Sequence, residues 1–148
     1  MTAPLDALQA TLAAEHAAVW TYALLGARTS ESGSPTLYAA IRAAYSAHHQ
    51  RRDDLTGEIA ALGATPVAAA AAYAVPAGLD TDDGIMAAAL ALEQGCADTY
   101  AALVAATAVD DPDGRRRAIG LLNDGAVRGL SFRGTPEIFP GAAELKDR

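Results

Sequence analysis

Four side chains able to carry charge or ligate a metal fall where helical spacing calls for apolar residues: Glu15, His48, Arg52 and Glu93. In alternating steps of three and four, one seam is Leu5, Leu8, Leu12, Glu15, Val19 and Tyr22. A second is Ile41, Tyr45, His48, Arg52, Leu55, Ile59 and Leu62, and a third is Met86, Leu90, Glu93, Ala97, Tyr100 and Val104. Such mixed spacing faces a bundle core. A fourth segment offers Ile119, Leu122, Ala126 and Leu130, with Asp124 and Arg128 as an i,i+4 pair beside them.

Charge inside a bundle is destabilising unless it is paired or bound to a metal. The interrupting residues are therefore expected to meet. In one arrangement Glu15 and Glu93 accept hydrogen bonds from Arg52, with His48 alongside and Arg128 as a further donor. In the other, Glu15, His48 and Glu93 hold one iron or manganese ion, which would make the chain a metal-dependent oxidoreductase. A full di-iron set needs a lone Glu on each of two helices and a Glu-x-x-His pair on each of the other two. Here Tyr45 and Ser46 stand three residues before His48 and His49, and Val127 stands three after Asp124. Arg52 also puts a fixed positive charge where a cation would sit. The residues thus favour an ion network, with no metal or cofactor. A third reading is a small-molecule pocket lined by Tyr22, Tyr45 and Tyr100.

Elements that could position these groups are legible from caps and breakers. The first helix follows Thr2, takes Pro4 in its first turn and runs to about Arg28. The second has Ser34 as N-cap and Pro35 first, and ends near Leu62 with Gly63 as the left-handed stop. The third starts at Thr81, with Asp82 and Asp83 favoured by the helix dipole, and ends near Val109. The fourth starts at Asp111 and Pro112 and ends near Phe132. Residues 1–133 form one domain in this reading. Residues 134–148, with Pro136, Pro140 and Gly141, read as an extended tail.

Short first and third links make their helices antiparallel neighbours. The link from Gly63 to Asp80 is long. A second helix of about 28 residues spans roughly 42 Å, and about 18 extended residues reach roughly 60 Å. The link can therefore travel the length of the bundle. The expected fold is all-α, a ferritin-like four-helix bundle with a long crossover between helices 2 and 3.

Composition agrees. Of the 148 residues 51% are hydrophobic but only 5% aromatic, an alanine-rich balance suited to close helix packing. A formal net charge of -7 argues against a nucleic-acid partner. Arg115 to Arg117 follow Asp110, Asp111 and Asp113, a local solvated cluster. Cys96 is the one cysteine, so no intrachain disulfide forms, which fits a cytoplasmic protein. No basic leader precedes Asp6, and the uncharged stretch from Ile59 to Leu79 is broken by Gly63, Pro66, Pro76 and Gly78, so no membrane partner is expected. No Ser-His-Asp order, phosphate-binding glycine loop or paired-cysteine zinc pattern occurs.

The segments Ala14 to Tyr22 (AEHAAVWTY), His48 to Asp53 (HHQRRD), Leu62 to Pro66 (LGATP), Tyr73 to Pro76 (YAVP) and Leu92-Glu93 carry a resemblance. Their order and spacing resemble a bacterial family of ferritin-like domains of unknown function, over about Leu5 to Arg133. The resemblance implies a ferritin-like bundle whose Glu, His, Arg-Asp and Tyr positions are Glu15, His48 or His49, Arg52-Asp53 and Tyr73. It brings no reaction with it. Elsewhere His16 and His49 sit off the seams, Tyr73 is expected to plug the bundle, and Cys96 reads as a small inert hydrophobe. Trp20 and Tyr38 are expected to pack or to contact a second copy in a homodimer.

Overall fold

The computed structural model describes residues 3–108, 111–135 and 138–142. Four helices carry the described chain: α1 (Ala3–Arg28), α2 (Pro35–Ala61), α3 (Asp82–Ala106) and α4 (Pro112–Arg133). No strand occurs among the described residues, and no helix there is long and apolar enough to cross a membrane. The expected N-cap Thr2 and the expected α3 end Val109 lie outside the described residues.

The punctuation works through identifiable bonds. Gly63, at φ 76°, ends α2: its N–H bonds Ala60 O at 2.9 Å and the Ala64 N–H bonds Ile59 O at 3.2 Å. This pair satisfies carbonyls the helix leaves open. Thr81 Oγ1 accepts from Gly84 N at 3.1 Å, and Asp111 Oδ1 accepts from Gly114 N at 2.9 Å, capping α3 and α4. A Cβ at Gly84 would overlap the Gly78 carbonyl, so the bare residue lets the turn press on the helix start. Ser34 departs from expectation: its hydroxyl makes no cap bond and donates instead to Asp82, tying the start of α2 to that of α3.

α1 packs on α2 and α3, and α3 packs on α4. Leu8, Leu12, Leu55, Ile59, Leu103 and Ala118 fill one end of the bundle. Tyr22, Leu25, Ile41, Leu79, Ile85 and Phe132 fill the other. Gly63 follows Ile59 at the first end, whereas Asp82 meets Ser34 at the second. The link between them therefore crosses the full length, as the reach argument expects. It is fastened along α1. Gln9 donates to Thr65 O and accepts from Val67 N, both at 2.8 Å, and His16 Nε2 lies 3.0 Å from Val67 O. Trp20 packs on Tyr73 with ring centroids 5.7 Å apart. The order is up, down, down, up, with sequence-adjacent hairpins α1–α2 and α3–α4.

Two expected faces are displaced. On α2 the buried positions are Ile41, Ala44, His48, Arg51, Leu55 and Ile59. Tyr45 and Arg52 stand at the flank, and Leu62 is 62% exposed. Steps of three and four suit either phase, and the small Ala44 is what lets α2 approach. On α4 the buried positions are Gly114, Ala118, Gly125, Gly129 and Phe132, while Ile119 and Leu130 face outward. A Cβ at Gly125 would lie 3.2 Å from Tyr100 Cε2, and one at Gly129 would lie 3.8 Å from Glu93 Cβ. Glycine faces inward there because α3 projects bulky polar side chains at it. In the tail, Ala142 N bonds Phe139 O at 3.2 Å, so residues 138–142 turn rather than extend.

Candidate functional site

Glu15, His48 and Glu93 meet at mid-bundle, between the two apolar ends, at 0%, 0% and 2% exposure. His48 Nδ1 lies 2.7 Å from Glu15 Oε2, and His48 Nε2 lies 3.0 Å from Glu93 Oε1. A neutral imidazole can donate from only one nitrogen. With both carboxylates ionised, satisfying both therefore needs the imidazolium. Burial alone would push His48 toward neutrality; the hydrogen bonds and charges of Glu15 and Glu93 overcome that and raise its pKa above the ordinary value. Burial likewise pushes the Glu93 carboxyl up, but His48, Arg128 and Tyr22 hold it below the usual range.

Two tyrosines complete the bridge. Tyr22 donates to Glu93 Oε1 at 2.7 Å and stacks on His48 with centroids 5.3 Å apart. Tyr100 donates to Glu15 Oε1. Burial and the neighbouring Glu93 carboxylate push the Tyr22 phenol well above its ordinary pKa. Burial, with Cys96 and Glu15, does the same for Tyr100. Both stay protonated donors.

The guanidinium bridge expected from Arg52 is not formed: His48 joins the two carboxylates, Arg128 reaches Glu93, and Arg51 is the arginine buried beside them. Arg51 Nη1 donates to Tyr100 Oη and Nη2 to Asp124 Oδ2, both at 3.2 Å. Arg52 turns to the flank, where Nε bonds Asp53 Oδ1 at 2.9 Å and Nη2 meets His49 Nε2 at 3.0 Å. Both arginines lie about one turn from His48, and Arg51 shares the inward face through the three-residue step. The expected Asp124–Arg128 pair is likewise replaced. Asp124 serves Arg51, and Arg128 Nε reaches Glu93 at 3.3 Å. Tyr73 does not plug the core. It lies on the crossing link, with its hydroxyl accepting from Ala70 N at 2.9 Å. Tyr45 stands outside the network.

Glu15, His48 and Cys96 offer ligand atoms within 4.8 Å of one another. Nothing in the sequence marks Cys96 beyond its place one turn after Glu93. Such a group could hold a metal ion. Both His48 nitrogens are engaged by carboxylates. Burial and the charges of Glu15 and Glu93 push the Cys96 thiol well above its ordinary pKa. Glu93 Oε2 is the buried carboxylate oxygen without a hydrogen bond among the described residues, and the Arg128 guanidinium stands 3.3 Å from it.

A cleft of about 360 Å³ opens between α1 and α2. Tyr22 and Tyr45 line it; Tyr100, the third tyrosine expected there, belongs to the ion network instead.

A family model described as "Domain of unknown function (DUF4439)" matches residues 7–144. The chain is also similar to the crystal structure of a conserved hypothetical protein, rv2844, from Mycobacterium tuberculosis. Identity is 27%, with 89% of this chain and 96% of that chain covered, at a TM-score of 0.79. No curated protein matches.

Proposed function

The chain belongs to that family of unknown function, and from this premise we propose that it is a ferritin-like bundle that binds a partner molecule and has no redox metal. The observation that carries this is the imidazole of His48 between two carboxylates, 2.7 Å from one and 3.0 Å from the other. It stands as a resident cation where a ferritin-like centre would hold its own. The up-down-down-up order and mid-bundle glutamates support the ferritin-like relationship. Arg51 and Arg128 add positive charge that the two buried carboxylates and Asp124 balance, so no further cation is called for.

The test is elemental analysis of protein purified without chelator or added metal, with denaturation in the presence and absence of chelator. We expect far less than one iron or manganese per chain and one denaturation midpoint in both conditions. Stoichiometric metal with a chelator-sensitive midpoint would overturn the reading in favour of an oxidoreductase using Glu15, His48 and Glu93. We further propose a homodimer, supported by the outward Ile119, Val127 and Leu130 of α4, exposed by 42%, 67% and 36%. Sedimentation showing a monomer at tens of micromolar would exclude it.

A further inference from the structure

The cleft between α1 and α2 is built unevenly. α1 contributes the small Ala23 and Gly26, and α2 contributes Tyr38, Arg42, Tyr45 and Ser46. These four recur at helical steps along one face of α2, so they stand as a wall over a shallow floor. A Cβ at Gly26 would reach only ordinary contact with Ile41 Cγ2, at 3.7 Å, so the floor has depth to spare. The volume of about 360 Å³ falls at the small end of ligand sites, which run from roughly 300 to 1,000 Å³.

Its cationic group has no carboxylate partner. Arg42 makes no ion pair among the described residues and lies over the Tyr38 ring, 5.9 Å from its centroid. The Tyr38 side chain is its chief neighbour, and Glu31 is the acidic group that acts on it through space. Tyr22 borders the cleft from beneath, 1% exposed with its hydroxyl on Glu93 and its ring on His48, so Tyr38 and Tyr45 are the rings that face the opening. Aromatic rings with one guanidinium lacking an ion-pair partner suit a flat π-system bearing an anion.

The geometry points to a binding site for a one- or two-ring aromatic carboxylate, its ring against Tyr45 and its carboxylate on Arg42. This assignment rests on the reading of the chain as a binding protein. The two fail separately, because metal content decides that reading and ligand contacts decide this one.

The probe is 2-naphthoate, with neutral 2-naphthamide and non-aromatic cyclohexanecarboxylate as comparators, measured by equilibrium dialysis on the full chain. Wild type should bind naphthoate at or below about 1 mM and cyclohexanecarboxylate more weakly. Arg42→Gln should weaken naphthoate roughly tenfold, the low end for a charge-assisted hydrogen bond, and leave naphthamide unchanged. Ala23→Leu, an exposed change to a good helix former, should fill the floor and abolish both aromatic probes with the helical signal intact. Tyr45 ring resonances should shift as naphthoate saturates wild type. Absence of binding at that concentration, or binding indifferent to Arg42→Gln and Ala23→Leu, overturns the assignment. A wild-type dimer that Ala23→Leu converts to monomer also overturns it, because the cleft would then be covered by a second copy.

Discussion

A protonated histidine between two carboxylates makes the core sensitive to pH from both sides. The His48 pKa is raised in the folded chain, so its contribution is complete below the ordinary value of about 6.5 and is lost as pH rises through the higher folded value. The Glu93 pKa is lowered, so its contribution is complete above about 4.3 and is lost as pH falls through the folded value. Denaturation midpoints should therefore be greatest between about pH 4.5 and 6.5 and decline as pH rises further. His48→Gln should remove the decline on the alkaline side. It should also destabilise by roughly 3–5 kcal/mol at pH 6, because two buried carboxylates lose their bridge. An unchanged alkaline slope in His48→Gln would show that another group sets it. The neighbouring arginines separate as sharply. Arg51→Met strips donors from Tyr100 and Asp124 and should cost about 2 kcal/mol in urea denaturation, whereas Arg52→Met should leave the midpoint nearly unmoved.

At the scale of the helices, glycines carry the distinctions that composition hides. A Cβ added at Gly120, inside α4, would meet nothing within 4 Å, so Gly120→Ala should stabilise by about 0.5–1 kcal/mol. Gly63→Ala should destabilise by about 1 kcal/mol, because φ is 76° there. Thermal unfolding of the two variants checks both signs. These elements also mark what the sequence could disclose. Caps and breakers placed the helix ends closely, since Gly63, Thr81 and Asp111 act through bonds to residues at most a few positions away and Pro35 through its own fixed φ. The phase of α2 was not legible. Tyr45 and Arg52 satisfy the same spacing rule as Ala44 and Arg51, and only the approach of α1 and α3 decides between them. On α4 the ends of the apolar pattern, Ile119 and Leu130, face outward while Leu122 packs on Cys96 and Tyr100, because the inward face is shaped by Tyr100 and Glu93 of another helix. Glu15, His48 and Glu93 were legible because each interrupts an apolar stripe, while Cys96 was hidden by resembling one more small core residue.

At the scale of the molecule, the long crossing link couples two hairpins that each form from local contacts. α2 is 27 residues long, about 40 Å at 1.5 Å per residue, and residues 62–81 must cover that span. Roughly 12 extended residues are the least that could do so. Deleting about ten residues from the link would leave a chain too short to reach its own far end, yet each hairpin would keep its apolar face. The α3–α4 hairpin of one chain would then dock on the α1–α2 hairpin of another. We expect such a deletion to yield intertwined dimers in size-exclusion chromatography; a folded monomer would show that α3 can start elsewhere. The tether that runs along α1 is thus what keeps the bundle's partnership within one chain, and its length acts as a gauge of molecularity.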